Sequence, residues 1–483
     1  MPNDFDAIVV GAGPNGLAAA ITLQQKGLKV LLLEGKASIG GGMRTEALTL
    51  PGFQHDVCSA VHPLALASPF FQTLPLERHG LRWLQPAIAA AHPLDDGSAA
   101  ALYHSVDDTA RALGADAAAY RRLAGPLVSD WPLIADDALG PLRFPQHPLA
   151  MARFGWKALA SATHIARRFS TSRARGLWAG MAAHSIQPLT QAATAAIGLV
   201  LMAAAHRGGW PIPAGGSQQI AQALAAYFVS LGGVIETSIY VSSLQQLPSA
   251  KAVLFDVTPR QLLQIAGHRF SSFYRWQLER YRYGMGVFKI DWALDGPIPF
   301  AAAACRQAGT VHIGGELEEI TASEQQVWQG RHPGQPFVLL AQPSLVDPGR
   351  APAGKQAAWA YCHVPHGSVA DQTDSIERQV ERFAPGFRAR ILARHTMNTA
   401  QLQDYNPNYI GGDINGGAMD PGQLFTRPAL RWSPYRTSAK GLYICSSSTP
   451  PGGGVHGMCG YHAARRVLKN FSSGVPEFQS SGV

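Results

Sequence analysis

Apolar residues come in short unbroken runs through the first 44 positions, and glycine or an acid ends each run. Asp6-Ala7-Ile8-Val9-Val10 predicts a strand buried on both faces, because four successive apolar positions leave no side for water. The run breaks at Gly11-Ala12-Gly13-Pro14-Asn15-Gly16, and Leu17 to Leu23 follows as a helix former. Val30-Leu31-Leu32-Leu33 predicts a second buried strand, closed by Glu34. At the other end, Gly441-Leu442-Tyr443-Ile444-Cys445 reads as a strand and Tyr461 to about Lys469 as a helix.

Between these ends the pattern changes twice. Residues 71 to 205 are rich in alanine and proline and predict mostly helix. Within them, Leu189 to Ala205 is uncharged but holds Thr190, Gln191 and Thr194, so it predicts a buried helix rather than a membrane span. Trp210-Pro211-Ile212-Pro213-Ala214-Gly215-Gly216-Ser217 predicts a turn, with Ser217 as the N-cap of a helix reaching about Leu231. Strands are expected at Gly232 to Glu236 and Val253 to Val257, returning the chain to the first unit. From 268 to 405, Gly286 to Ile290, Thr310 to Ile313, Phe337 to Ala341 and Gln356 to Val364 suit an antiparallel sheet flooring a cavity. Asp374 to Phe383 predicts an amphipathic helix, with Pro385 just beyond it.

The opening segment carries specific chemistry. In a strand–turn–helix, Gly11 permits the tight turn, Gly13 clears a path for a pyrophosphate, and Gly16 lets helix and strand pack closely. The helix N-terminus supplies N–H groups and partial positive charge to phosphate. Glu34 stands where a carboxylate accepts ribose hydroxyls, which disfavours a 2′-phosphate and hence NADP. Together these predict an adenine dinucleotide site.

Composition narrows the class. A chain of 483 residues can form two or more domains, each with its own core. The N-terminus enters a strand at once, so no targeting peptide is expected and the cytoplasm is the expected location. Cys58, Cys305, Cys362, Cys445 and Cys459 are scattered without a C-x-x-C, which excludes a disulfide redox pair and makes a metal site unexpected.

The net charge is +8, and from Ala138 to Ile235 there is no acid. Arg143, Arg153, Lys157, Arg167, Arg168, Arg173, Arg175 and Arg207 lie there, interleaved with Phe154, Trp156, Phe169 and Trp178. That block suits either solvated cap helices or peripheral contact with an anionic membrane through residues 143–175. No nucleic-acid module accompanies it, so nucleic acid is not an expected partner. Self-association is left open.

After the last strand, Gly452, Gly454 and Gly457 formally repeat the G-x-G-x-x-G spacing. Too little chain follows for a second nucleotide fold. The turn is therefore expected to meet the same cofactor from the far end, a helix N-terminus suiting a group that gains negative charge.

Gly40-Gly41-Gly42-Met43-Arg44 resembles the second glycine motif of FAD-binding amine oxidases and phytoene desaturases. With Trp210 to Ser217, Gly284 to Asp295, Gly411-Gly412-Asp413 and Thr449 to Gly460, the chain resembles the phytoene desaturase-like FAD oxidoreductases over nearly its whole length. Within them it is most similar to the branch of pyridine nucleotide-disulfide oxidoreductase domain-containing protein 2. Ser446-Ser447 replaces the usual Gly-Ala or Gly-Asp, and the redox cysteine pair is missing.

The resemblance implies an α/β fold: a Rossmann-like FAD-binding domain from non-contiguous segments, with an inserted α+β substrate domain of antiparallel sheet and cap helices. The segments are 1–70, 206–267 and 406–471 for FAD, and 71–205 and 268–405 for substrate. A flexible tail over 472–483 completes the expected division. The implied cofactor is FAD. Its expected contacts are Gly11, Gly13, Pro14, Asn15, Gly16, Glu34, Gly35, Gly41, Gly42, Met43, Arg44, Val241, Ser447, Gly454, Val455 and Met458.

Hydride transfer to a flavin asks mainly for an apolar substrate held against the ring in a dry cavity. A base helps only where the substrate loses an acidic proton. Candidates are His456, inside the last glycine turn, then His62 and Asp413, with His55 behind them. Each has a structural alternative: packing over the turn, a satisfied buried imidazole, or a carboxylate bonding turn amides. Tyr409, Cys445 and Cys459 read as packing. The expected activity is dehydrogenation or desaturation of a largely apolar molecule such as an isoprenoid or polyene. An amine-oxidase-like enzyme and a flavin-binding regulator without turnover are the alternatives.

Overall fold

A computed structural model describes residues 5–472. The first apolar runs pair side by side as expected of buried strands. Phe5–Val10 lies between Val30–Leu33 and Ala250–Phe255 in a five-stranded parallel sheet. The full order is Leu442–Ile444, Ala250–Phe255, Phe5–Val10, Val30–Leu33, Val234–Glu236. Every neighbour pair is parallel. Helices cover the sheet, which is why its strands read as continuous apolar runs. Pro14–Gln24 starts at the glycine turn, with Pro14 in its first turn where a missing N–H costs nothing. Met458–Ser472 packs against it so closely that a Cβ on Gly460 would meet the Asn15 carbonyl oxygen at 1.8 Å. The first and last described helices thus lie against one another.

The second sheet has seven strands, in the order Ile391–Met397, Gly286–Leu294, Gln356–Val364, Val338–Ala341, Ala308–Ile313, Ile88–Pro93, Ala99–Leu102. The pair Ala308–Ile313 with Ile88–Pro93 is parallel, so this sheet is mixed rather than purely antiparallel. Its strands fall within residues 71–205 and 268–405, and those of the first sheet within 1–70, 206–267 and 406–471. Ala117–Ala138, Ser172–Ala183 and Ala195–Gly208 form a helical layer, and Ser172–Ala183 packs it on the second sheet.

Several expectations need correction. Residues 71–205 are mostly helical as expected, but Ile88–Pro93 and Ala99–Leu102 within them are strands. Alanine favours helix locally, but here the small side chains fill a buried sheet, and tertiary pairing overrides propensity. The apolar Leu189–Ala205 stretch is helical only from Ala195, and among the described residues no helix is long and apolar enough to cross a membrane. The hydroxyl of Ser217 does not cap its helix. Ser472 ends the last helix, and the rest of the expected tail lies outside the described residues.

Candidate functional site

Ligand sites in parallel sheets form beyond the carboxyl ends of the strands. Here those ends carry Gly11, Glu34 and Asp256, each just past its strand. Two cavities meet above them. One, of about 260 Å³, is lined by Gly11, Glu34, Gly35, Arg44, Tyr240 and Val241 among others. The other, of about 270 Å³, is lined by Pro14, Asn15, Gly42, Ser447, Gly454 and Val455, with a wall of larger side chains. Gly13, Gly41, Asp256, Asn406 and Asn408 line both and form the neck between them.

The first cavity is closed by charge pairing. Glu34 Oε2 accepts the Ala12 N–H at 2.9 Å, and Oε1 accepts the Lys36 N–H at 2.9 Å and Arg44 Nη2 at 3.3 Å. Two acceptor sites per oxygen leave one free on Oε2, enough for a ribose hydroxyl. Arg44 is buried, not a solvated surface residue. Its guanidinium also donates to the Ser38 carbonyl at 2.7 Å. It lines the Glu34 cavity and not the second one.

The neck is where the expected roles change. Gly16 sits under the turn, where a Cβ would meet the Gly11 carbonyl oxygen at 1.8 Å, so its part is packing. Its N–H donates to Asp256 Oδ2 at 2.9 Å. A Cβ on Gly13 would come within 2.9 Å of the same oxygen, so Gly13 clears room for a carboxylate as well as for a phosphate. Burial pushes Asp256 up to about 7, with the Glu34 charge adding to the rise and the Gly16 N–H opposing it.

The second cavity is mostly apolar. Leu64, Ile186, Leu201, Leu339 and Ile414 contribute to it, with Trp210, Trp359, Tyr361 and Tyr409. Trp359 and Tyr361 stack on each other at 5.7 Å, leaving no gap for a ligand between their rings. At the far wall His184 Nε2 lies 2.9 Å from His312 Nε2. Burial lowers His184 to about 3, so the wall carries no positive charge near neutrality.

Of the base candidates, His62 alone lines either of these two cavities. Its Nε2 lies 2.8 Å from Ser217 Oγ, and that hydroxyl donates to the Ser59 carbonyl at 2.6 Å. The single hydroxyl proton is therefore spent on Ser59, and His62 Nε2–H must be the donor. Nδ1 is left as an unprotonated acceptor. Burial lowers the ring to about 4, so it is neutral at pH 7. Ser217 is held in turn by Asp56, whose Oδ1 accepts its N–H at 2.8 Å and whose Oδ2 accepts Arg350 Nη2 at 2.8 Å.

His456 and Asp413 lie off both cavities. His456 Nδ1 accepts the Met458 N–H at 3.0 Å, capping the last helix. Asp413 takes the N–H groups of Gly284 and Asn415, each at 2.7 Å. Both are turn-stabilising groups here, against the expectation of a chemical role. His55 is likewise buried, with Nε2 at 2.8 Å from Thr49 Oγ1. Gly16, Met43 and Met458 also line neither cavity, and Met43 and Met458 are core residues. The other expected cofactor contacts line one or both.

Sequence reasoning missed Asp256, Asn406, Asn408 and Cys58. Asp256 had a signal: an acid one position past a strand that returns beside the glycine turn. The asparagines sit in a loop with no pattern of its own. Among the described residues no cluster suited to a metal ion occurs.

Residues 9–72 match the family model of the NAD(P)-binding Rossmann-like domain. The chain is 26% identical to mouse pyridine nucleotide-disulfide oxidoreductase domain-containing protein 2, over 97% of this chain and 94% of that protein. It is 22% identical to the lycopene-forming phytoene desaturase of Paracoccus sp., over 55% of this chain and 56% of that one. A solved putrescine oxidase, a triple mutant with redesigned cofactor binding, superimposes with a TM-score of 0.61 at 15% identity, covering 96% of this chain and 99% of that one. The last likeness is one of fold. The chain is homologous to oxidoreductases built on a dinucleotide-binding Rossmann fold.

Proposed function

We propose that the protein is an FAD-dependent oxidoreductase that takes hydride from a largely apolar substrate, in the manner of a dehydrogenase or desaturase. One observation carries this reading: two cavities joined at a glycine neck, polar at the Glu34 end and apolar at the other. A dinucleotide threaded through the neck leaves its second half in the larger-walled cavity. Gly41, Gly42, Ser447, Gly454 and Val455, from both glycine-rich regions, line that cavity, which favours a single FAD over two separate nucleotides. The residues fit the group: glycine backbone at the neck, an acceptor site left on Glu34, and a buried Asn15 Oδ1 with no partner beside the second cavity.

Bound flavin supplies a hydride acceptor. The chain supplies a dry apolar wall that holds the substrate, and His62 Nδ1 as acceptor for a proton lost with the hydride. The largely apolar wall favours an uncharged substrate over an ammonium ion. The stacked Trp359 and Tyr361 also weigh against an amine held between two rings.

The test is optical. Purified protein is expected to be yellow, or to take up FAD, and to bleach anaerobically with an isoprenoid or polyene in a lipid panel. Bleaching by amines alone supports the amine-oxidase alternative. Bound FAD that nothing reduces supports a regulator, and protein unable to bind FAD ends the proposal.

The substrate's route suggests a partner, and we propose that an anionic membrane surface is that partner. Leu142, Phe144, Leu149 and Trp156 are each more than 70% exposed. They lie in the acid-free block, near exposed Arg167 and Arg168. Arg143 and Arg153 are less available than their positions in the sequence suggest, being paired with Asp136, Asp137 and Asp130. The Pro148–Ala158 helix bearing Trp156 packs on Ala195–Gly208, whose Leu201 lines the substrate cavity.

A further inference from the structure

The neck contains a residue that a phosphate site does not ask for. Asp256 is buried, lines both cavities, and already holds the Gly16 N–H through Oδ2. Gly16 lies in the first turn of the helix that starts at Pro14, the end that attracts anions. A diphosphate entering the neck would meet a carboxylate competing for that helix end. Two anions crowded into one buried site do not both stay ionised.

The surroundings offer Asp256 little relief. Glu34, at the end of the strand on the far side of Phe5–Val10, is a second acid acting on it. Cys445, after strand Leu442–Ile444, and Cys459, on the last helix, are the other titratable groups coupled to it, and both are neutral thiols raised by burial. Lys36 and Arg44 line the same first cavity, but Arg44 is spent on Glu34 and Ser38.

Resting on the FAD reading above, we propose that Asp256 is the diphosphate-recognising side chain of the site. It binds the dinucleotide as the neutral acid, taking one proton from solvent. Oδ2 keeps the Gly16 N–H, and the new O–H donates toward a phosphate oxygen. No bond in the cofactor breaks, and the only transfer is one proton from water to the carboxylate. That its carboxyl is raised to about 7 before any cofactor arrives supports the same conclusion.

The experiment is a binding titration of FAD-depleted protein from pH 6 to 9, followed by flavin fluorescence, for wild type and Asp256→Asn. Asparagine keeps an acceptor for Gly16 and a permanent donor. Wild-type affinity is expected to fall about tenfold per pH unit once Asp256 ionises, and the variant to be flat and tighter than wild type at pH 9. Calorimetry in buffers of different ionisation heat should find close to one proton taken up per FAD at pH 8 in wild type and none in the variant. ADP, which carries the diphosphate, should share the wild-type slope; adenosine, which lacks it, should not. A pH-independent wild-type affinity, or an adenosine slope equal to that of ADP, overturns the proposal alone. Failure of both proteins to bind FAD at pH 6, with folding verified by circular dichroism, overturns the FAD reading and this proposal with it. Asp256→Ser, which cannot ionise, should also be flat.

Discussion

His62 shows how much of a site a single hydrogen fixes. Ser217 Oγ has one proton and spends it on the Ser59 carbonyl, so the imidazole must donate from Nε2 and leave Nδ1 unprotonated, with the Ser59 hydroxyl 3.5 Å from it. Replacing His62 with Gln retains a donor for Ser217 but removes the proton acceptor. The expected result is a fall in kcat of about 10²-fold with unchanged flavin content, read by stopped-flow reduction. An unchanged reduction rate would make His62 a structural residue. Ser217→Ala leaves the buried imidazole N–H and the Ser59 carbonyl unpaired, and should cost about 1–3 kcal/mol in denaturant unfolding. His62 was visible in the sequence as a histidine soon after a glycine motif. Its partner Ser217 lies 155 residues away and read as a helix cap, because capping is a local rule and this hydrogen bond is not local.

At the scale of elements, legibility followed burial on both faces. Runs such as Val30–Leu33 and Gln356–Val364 admit only a buried strand, and both formed. Ile88–Pro93 and Ala99–Leu102 hid behind alanine, whose helix preference is intrinsic while its place in a sheet depends on neighbours distant in sequence. The glycine-lined neck was legible because glycine spacing is a local requirement. A sheet flooring a cavity was expected too, but not which side chains wall it, since they come from strands and helices distant in sequence.

The Pro148–Ala158 helix exposes Leu149 and Trp156 while burying Phe154, so its outward face is apolar as well as its inward one. Under the membrane proposal that face lies in a lipid interface. Phe144→Ser with Trp156→Ser should weaken binding to vesicles containing phosphatidylserine by about tenfold per side chain, at about 1.5 kcal/mol each. Flotation checks it, and equal binding by the double variant would remove the membrane from this account.

At the scale of the whole molecule, the site and the core are one structure. The parallel sheet needs Phe5–Val10, Ala250–Phe255 and Leu442–Ile444 together, so the fold closes only when both chain ends meet. Many ionisable groups are trapped inside it, and pH should therefore act on the entire fold. Burial lowers His55, His62, His92, His456 and His462 from 6.5 to about 4. Between those values the unfolded chain binds more protons than the folded one, so stability rises with pH through that window and is lost as pH falls through it. A fully buried histidine of this kind is worth up to about 3 kcal/mol. A few of them together approach the 5–15 kcal/mol by which a typical domain is stable, so unfolding should be complete before pH 4. Asp256 acts in the opposite sense. Its folded pKa of about 7 lies above the unfolded 3.8, so its contribution is full below the lower value and fades as pH rises through about 7. Asp256 therefore works against the histidines inside the same window and adds nothing above about pH 7. The five histidines outweigh the one acid, so the melting temperature of cofactor-free protein should climb from about pH 4.5 to 6.5 and level off above about pH 7. Asp256→Asn should make the climb steeper and leave the plateau flat. Scanning calorimetry from pH 4 to 9 reads the slope and the plateau, and a melting temperature flat between pH 5 and 6.5 would show that the buried histidines do not govern acid stability.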